Sequence, residues 1–419
     1  MKNQLIKYRL GDIADVQTGP FGTQLHQKDY VEIGTPIITV EHLGDNRILH
    51  SNMPNVSDED KERLSKYQIF EGDIVFSRVG SVDRRAYVRK REDGWLFSGR
   101  CLRVRVKDDN VSPLFLSYYF GLESFKEYIR RIAVGATMPS INTQILSDIE
   151  VHLPTKKYQD YIADILSTID EKIEINREIN ITLEETGWNL YKYWFINFGH
   201  FSDTDMIETP EGKIPKGWET ISIGNAVDIL GGGTPKTKVN EYWENGTINW
   251  YSPTDLTSQK SLFTSQTAKE ITKLGLEKSS AKLFPPYSVM MTSRATIGVI
   301  SINTKEASTN QGFITLIPNE DFTMYQLYYW LKENMELILS LSNGSTFKEV
   351  SKTNFKKIPI VKPVGVNLFN STCRNIFKQI ESNLVEIEEL IKLREYLLHK
   401  LLSGEVNLSV VEKQIEKIF

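Results

Sequence analysis

Gly135-Ala136-Thr137-Met138-Pro139-Ser140-Ile141, running on to Asp148-Ile149-Glu150-Val151-His152-Leu153-Pro154, is answered without a gap by Gly344-Ser345-Thr346-Phe347-Lys348-Glu349-Val350, running on to Lys357-Ile358-Pro359-Ile360-Val361-Lys362-Pro363. A stretch that closes the same way twice marks a duplication, and a duplication settles the architecture before any single element does. Working backwards, Leu10-Gly11-Asp12-Ile13-Ala14-Asp15-Val16 returns as Ile223-Gly224-Asn225-Ala226-Val227-Asp228-Ile229. Gly34-Thr35-Pro36-Ile37-Ile38, closing at His42-Leu43, returns as Gly246-Thr247-Ile248-Asn249-Trp250, closing at Asp255-Leu256. Ile74-Val75-Phe76-Ser77-Arg78 matches Val289-Met290-Met291-Thr292-Ser293-Arg294 through a shared Ser-Arg ending, with one residue inserted. Ser98-Gly99-Arg100 then faces Asn310-Gln311-Gly312.

After each copy the apolar period changes from two to about three and a half. Ile162, Ile165, Ile169, Ile173, Asn176, Ile179, Leu183 and Leu190 form one seam, and Phe377, Ile380, Leu384, Ile387, Ile391, Arg394, Leu398 and Leu401 form another. Such spacing belongs to coiled-coil-like helices, here ~54 Å and ~50 Å long at 1.5 Å per residue. Two seams too apolar to stand alone pack on one another, and an antiparallel pair relates the globular blocks by a twofold. Gly187 weakens the first helix by about 1 kcal/mol relative to Ala. His200 to Lys216, rich in Asp, Thr, Pro and Gly, reads as a linker. The predicted fold is α+β: two pseudo-twofold-related α/β domains, 1–155 and 218–363, separated by two long antiparallel coiled-coil-like helices, 156–199 and 364–419, with a linker at 200–217.

The 419 residues carry 50 Lys and Arg against 54 Asp and Glu, a formal charge of -4, which argues against a simple polyanion-coating protein but leaves room for a locally basic groove. Only Cys101 and Cys373 occur, too few and too far apart for a disulfide framework or a cysteine zinc site. The start lacks the apolar core of a signal peptide, and no stretch approaches the ~20 apolar residues of a membrane span. A cytoplasmic protein is expected.

Catalytic patterns are sought and not found. Gly231-Gly232-Gly233-Thr234-Pro235-Lys236 is the nearest glycine run to a phosphate cradle and has the wrong spacing. Glu211-x-Lys213 after Asp205 faintly echoes a metal-dependent nuclease but falls in the linker. The six histidines form no metal-ligand pair. Phe284-Pro285-Pro286-Tyr287 resembles the Asn/Asp-Pro-Pro-Tyr/Phe loop of amino-methyltransferases, but Phe284 cannot accept the hydrogen bond of a target amino group. No metal or cofactor is expected in this chain.

Basic residues suggest a different function. Arg84, Arg85, Arg89, Lys90, Arg91, Arg100, Arg103 and Arg105 are eight cations within 22 positions, and a strand-turn-strand over Tyr87 to Val106 would alternate them onto one face that follows a phosphate backbone. The bland reading is a solvated sheet face. Arg78 and Arg294, at the two Ser-Arg strand ends, are the paired candidates for DNA contact, with Ser293, Asn310 and Gln311 beside them; a structural ion pair is their bland reading. Thr137, Ser140 and Asn142, with repeat partners Thr346, Glu349 and Ser351 and with Lys348 and Lys352 as further candidates beside them, occupy the repeated loop after glycine, where helix capping is the alternative. Thirteen of seventeen arginines lie in residues 1–155 and only Arg294 in 201–363, where sixteen lysines take over. The two domains therefore cannot read the same bases in the same way.

These features together resemble the specificity subunit of type I restriction-modification systems over essentially the full chain. Its marks are Leu190-Tyr191-Lys192-Tyr193-Trp194-Phe195-Ile196-Asn197-Phe198 at the end of the first spacer, Ile214-Pro215-Lys216-Gly217-Trp218-Glu219 opening the second domain, and Leu401-Leu402-Ser403-Gly404-Glu405-Val406 in the last segment. The first domain departs from the pattern, having Lys7-Tyr8-Arg9 in place of a Pro-x-Gly-Trp opening. The resemblance implies two target recognition domains and a non-catalytic subunit reading an asymmetric bipartite site in double-stranded DNA. It also implies two methyltransferase subunits and, in the full complex, restriction subunits, with Tyr191, Trp194, Phe195, Leu402 and Glu405 as the partner-binding residues. Those partners would supply the S-adenosylmethionine, ATP and magnesium chemistry. Rods of ~50 Å would hold the readers at most ~15 base pairs apart at 3.4 Å per base pair. The alternatives are a DNA methyltransferase or nuclease with its own degenerate active site, and a coiled-coil organiser with no DNA role.

Overall fold

The computed structural model describes residues 5–402 apart from 21, 23, 203–204, 211, 260 and 344–347. The chain divides into two compact units, one built on the residues up to Ile173 together with the segment from Glu389, the other on Glu174–Glu388. Two helices of 36 residues, α1 (Lys156–Tyr191) and α2 (Asn367–Leu402), each contribute to both units. Each expected spacer helix therefore gives residues to both units.

In the first unit the main sheet runs Ala14–Thr18, Cys101–Val106, Ile74–Ser77, Arg85–Tyr87, all antiparallel. Ile74, Val75 and Phe76 are buried in succession, the mark of a strand covered on both faces. In the second unit Asp228–Gly231, Phe313–Ile317, Val289–Thr292 and Ile300–Asn303 repeat that order, and Phe263–Thr264 adds a parallel edge. A smaller sheet accompanies each, with Thr35–Ile38 parallel to Leu96–Phe97 in one and Ile248–Tyr251 parallel to Ala307–Thr309 in the other. The first and last strands of each block pair as Ile6–Arg9 with Glu150–Leu153 and Glu219–Ser222 with Pro359–Lys362, so the first domain forms its opening strand without the Pro-x-Gly-Trp motif.

The duplication extends to single contacts. Leu10 N–H donates to Ile149 O and Ile223 N–H to Ile358 O, both at 2.8 Å. A Cβ on Gly11 would press on the Ser147 Cβ at 3.0 Å, and one on Gly224 on the Lys356 Cβ at 2.9 Å, at equivalent points of the matched stretches. Backbone pairing also corrects the Ser-Arg alignment. Arg78 O accepts from Ile141 N and Ser293 O from Val350 N, each at 3.0 Å, while Val79 bridges Ser140 and Arg294 bridges Glu349. Arg78 therefore corresponds to Ser293, and Arg294 to Val79: the shared Ser-Arg letters are a coincidence of sequence, and the two arginines sit one strand position apart.

The helices pack through heptad spacing, shifted in places from the predicted seam. Buried positions on α2 include Phe369, Cys373, Ile376, Ile380, Asn383, Ile387 and Leu390, then Leu397 and Leu401, with steps of three and four closing on Arg394 between them, and Phe377 of the predicted seam is buried beside them. On α1 the heptad-spaced ones are Ile162, Leu166, Ile169, Ile173, Asn176 and Asn180, with Gln159, Ala163, Asp170 and Tyr191 also buried. Ile179, assigned to the seam from its apolarity, is 41% exposed, and Asn180 takes its place. Within the second unit Asn176 Nδ2 donates to Glu386 at 2.9 Å and Asn383 Nδ2 to Asn180 at 2.8 Å, so the helices run antiparallel there. Whatever it costs the helix, Gly187 is required by packing: a Cβ there would lie 2.0 Å from the Tyr329 hydroxyl.

The expected linker contains a β-hairpin, Met206–Thr209 with Gly212–Pro215, whose Ile214 enters the core of the second unit. Among the described residues no helix is long and apolar enough to cross a membrane.

Candidate nucleic-acid interface

The basic stripe does not form as the alternation predicted. Residues 87–106 make no hairpin: Lys90–Glu92 is a turn of 3-10 helix, Leu96–Phe97 joins the smaller sheet, and Cys101–Val106 lies between Ala14–Thr18 and Ile74–Ser77. Most of its cations find acids or carbonyls nearby. Arg105 Nε donates to Asp73 at 2.7 Å, Lys90 pairs with Asp93 at 2.7 Å, and Arg91 pairs with Glu92 at 2.8 Å. Arg103 is buried, and burial followed by the neighbouring Arg105 pulls its pKa below the ordinary value.

Arg85 is the clearest correction. It is 3% exposed, donates to Ser117 O at 2.7 Å and pairs with Asp45 at 3.2 Å; Gly121 leaves it room, since a Cβ there would lie 2.1 Å from its Nη2. It anchors the first domain and is inaccessible to DNA. The charges around it continue into the helices: Arg394 donates to Asp170 at 2.8 Å and also to Asp45, and Tyr118 Oη donates to Asp170 at 2.6 Å.

Arg84 and Arg100 do come together. They line an open cleft of about 870 Å³ in the first unit, with Tyr30, Thr39, Glu41 and Ser98. Arg84 is held by donation to Leu43 O, whereas Arg100 is exposed and its side chain has no partner among the described residues. Arg78 stands behind this edge, half-buried, donating to Thr18 Oγ1 and Gly99 O at 3.3 Å each. Tyr30, Thr39 and Glu41 are the residues sequence reasoning missed. The signal for Thr39 and Glu41 is the repeated turn closing at His42 and Asp255; Tyr30 lies in a separate strand and carries no sequence signal.

The repeated loop gives a mixed picture. Thr137 is exposed, Ser140 Oγ donates to Val134 O at 3.2 Å, and Asn142 caps the helix Thr143–Ser147 by accepting from Ile145 N at 2.8 Å. Lys348 is exposed, and Lys352 covers Gly231, where a Cβ would collide with its amine. Thr346 lies outside the described residues, as does Glu405. Ser293 is buried, and Arg294 forms an ion pair with Glu349 at 2.7 Å, the bland reading of that residue. Asn310 accepts from Gly312 N and Gln311 from Thr234 Oγ1, both at 2.8 Å.

Tyr191, Trp194 and Phe195, expected to meet a partner, are buried in the core of the second unit, where Phe195 packs edge-on to Phe369 at 4.9 Å. Burial also raises the Tyr191 pKa above its ordinary value. Leu402 is the last residue of α2. Phe284-Pro285-Pro286-Tyr287 is a turn: Phe284 is 2% exposed and bridges Ala307, and Tyr287 takes a left-handed φ of 65°. Among the described residues no group of three His, Cys, Asp or Glu could hold a metal ion.

A duplicated α+β frame, helices shared between its copies and a cationic cleft define a two-part binding protein. The sequence profile described as "Type I restriction modification DNA specificity domain" matches residues 4–185 and again 215–392, and the chain belongs to that family. The type I restriction enzyme HindI specificity subunit of Haemophilus influenzae is 26% identical over 468 residues, covering 96% of this chain and 99% of its own. The MjaIX specificity subunit of Methanocaldococcus jannaschii is 36% identical over 163 residues, 38% of each chain. The crystal structure of a type I restriction-modification S subunit from M. genitalium shares the fold with a TM-score of 0.58 at 16% identity, covering 95% of this chain and 96% of that one.

Proposed function

We propose that this chain is the non-catalytic specificity subunit of a type I restriction-modification complex in the cytoplasm, each domain reading one half of an asymmetric bipartite site in double-stranded DNA. The observation that carries this reading is a frame repeated contact by contact whose cleft-edge residues differ between the copies. Arg100 in one corresponds to Gly312 in the other, and Gly99 to Gln311, as the pairing of Ser77 with Cys101 and of Thr292 with Phe313 sets the register. A repeated scaffold with different tips suits two half-sites of different sequence. Arg84 and Arg100 supply charge toward the phosphates, where each neutralised phosphate releases counterions.

Methylation and cleavage belong to partners: two methyltransferase subunits with S-adenosylmethionine, and restriction subunits with ATP and magnesium. Phe284 supports this division, because its apolar side chain is buried in a hydrophobic cluster where a methyltransferase needs a hydrogen-bond acceptor. The isolated chain, incubated with DNA, S-adenosylmethionine, ATP and Mg²⁺, should neither methylate nor cleave, and modification should appear on adding the methyltransferase subunits. Robust methylation or cleavage by the chain alone, free of contaminants by mass spectrometry, would sink this assignment.

A further inference from the structure

The turn that follows the central strand of the smaller sheet is built the same way in both copies. Ser98 N–H donates to Ile38 O at 2.8 Å and Asn310 N–H to Tyr251 O at 2.9 Å, which aligns Thr39 with Ser252, Glu41 with Thr254 and His42 with Asp255. In the first copy Thr39 N–H donates to His42 Nδ1 at 3.0 Å; in the second Ser252 N–H donates to Asp255 Oδ2 at 2.8 Å. Both acceptors are buried, His42 at 2% and Asp255 at 7% exposure. The residue between them, Glu41 or Thr254, is exposed in each. A rigid frame thus presents one outward side chain whose chemistry changes between the domains.

Glu41 stands beside the Thr39 hydroxyl. The backbone N–H of Thr39 requires His42 Nδ1 to be an acceptor, and the Thr39 hydroxyl, 3.0 Å from that nitrogen and 3.2 Å from Glu41 Oε1, has one proton for the two. The carboxylate lines the same cleft as Arg84 and Arg100 yet has no cationic partner among the described residues. A carboxylate facing DNA repels every phosphate, so it penalises all sequences unless it accepts a hydrogen bond from a base. Two bases offer an amino group in the major groove. Adenine places the N7 acceptor beside its amino group, which repels a carboxylate, whereas the cytosine N4 donor stands without one.

We propose that Glu41 is a specificity-determining residue of the first domain, its carboxylate accepting a hydrogen bond from the N4 amino group of a cytosine in that domain's half-site, while Thr254 sets a different preference in the second. This rests on the DNA-reading function proposed above.

The test compares assembled complexes containing the wild-type chain or Glu41→Thr, which installs the residue found at the equivalent position of the second domain. Modified-base sequencing of host DNA gives both targets, and competition binding uses duplexes differing only at the cytosine so identified. Glu41→Thr should relax one cytosine position in one half-site, lowering discrimination there by roughly 5- to 150-fold, the span of one good base contact. The other half-site should stay unchanged, and affinity for unrelated duplex should rise as the repulsion is lost. An unchanged target at every position, or a uniform change of affinity without relaxation, overturns the role of Glu41 while leaving the DNA-reading function standing. A wild-type complex that yields no bipartite target overturns that function itself.

Discussion

Arg394→Ala should destabilise the first unit by about 3–5 kcal/mol, the range found when one partner of a buried ion pair is removed. The Arg394 side chain is 13% exposed and joins Asp170, 8% exposed, to Asp45. Burial opposes its charge, yet Asp45 and Asp170 together hold the guanidinium above its ordinary pKa. Without it, Asp170 retains the Tyr118 hydroxyl but no cation at that contact. The reporter is Trp95, the one tryptophan of that unit. Urea unfolding followed by Trp95 emission should shift to lower denaturant, and adding Asp170→Leu to Arg394→Met should recover much of the loss. A Trp95 transition at the wild-type midpoint would contradict the network. The effect carries a pH signature. Burial alone would raise the Asp45 pKa, but Arg394 and then Arg85 hold it below the ordinary 3.8. A depressed carboxylate stabilises above its unfolded value and loses that contribution as the pH falls through its folded value, so the wild-type advantage should shrink below about pH 3.8.

Ile387→Asp should cost the second unit about 3 kcal/mol, because an unpaired carboxylate would replace an aliphatic side chain that is 7% exposed on the α2 seam. Two residues away Val385 is 58% exposed, and Val385→Asp should stay within about 0.5 kcal/mol of the parent. The contrast separates packing from helix propensity, since both substitutions place Asp in the same helix. Thermal unfolding read by the remaining tryptophans should separate the pair, and equal midpoints would remove the seam from the account.

The duplication was legible because it rests on spacing, which survives when side chains change. Gly11 and Gly224 remained recognisable since both abut the same point of the fold. Long helices were legible from their period, but the seam slipped at Ile179, because polar Asn180 occupies the buried position and apolarity alone points to its neighbour. The basic stripe misled because its acidic partners are not local in every case: Asp73, which holds Arg105, precedes it by 32 residues and meets it only through strand pairing. Arg85 failed for the same reason, its partners Asp45 and Ser117 being distant in sequence. Tyr191, Trp194 and Phe195 are a recognisable motif whose prominence comes from the core they fill. Glu41 was invisible in the sequence because one acidic residue in a loop says nothing until the frame around it is seen twice.

The central claim is that one chain reads two different half-sites through two copies of one scaffold. Modified-base sequencing of host DNA tests it most directly, with the gene intact, deleted, or carrying residues 218–363 of another family member. The account predicts a bipartite target with a fixed gap that vanishes on deletion and changes in one half only on exchange. A modification pattern indifferent to the gene, or an exchange that alters both halves or neither, would contradict it.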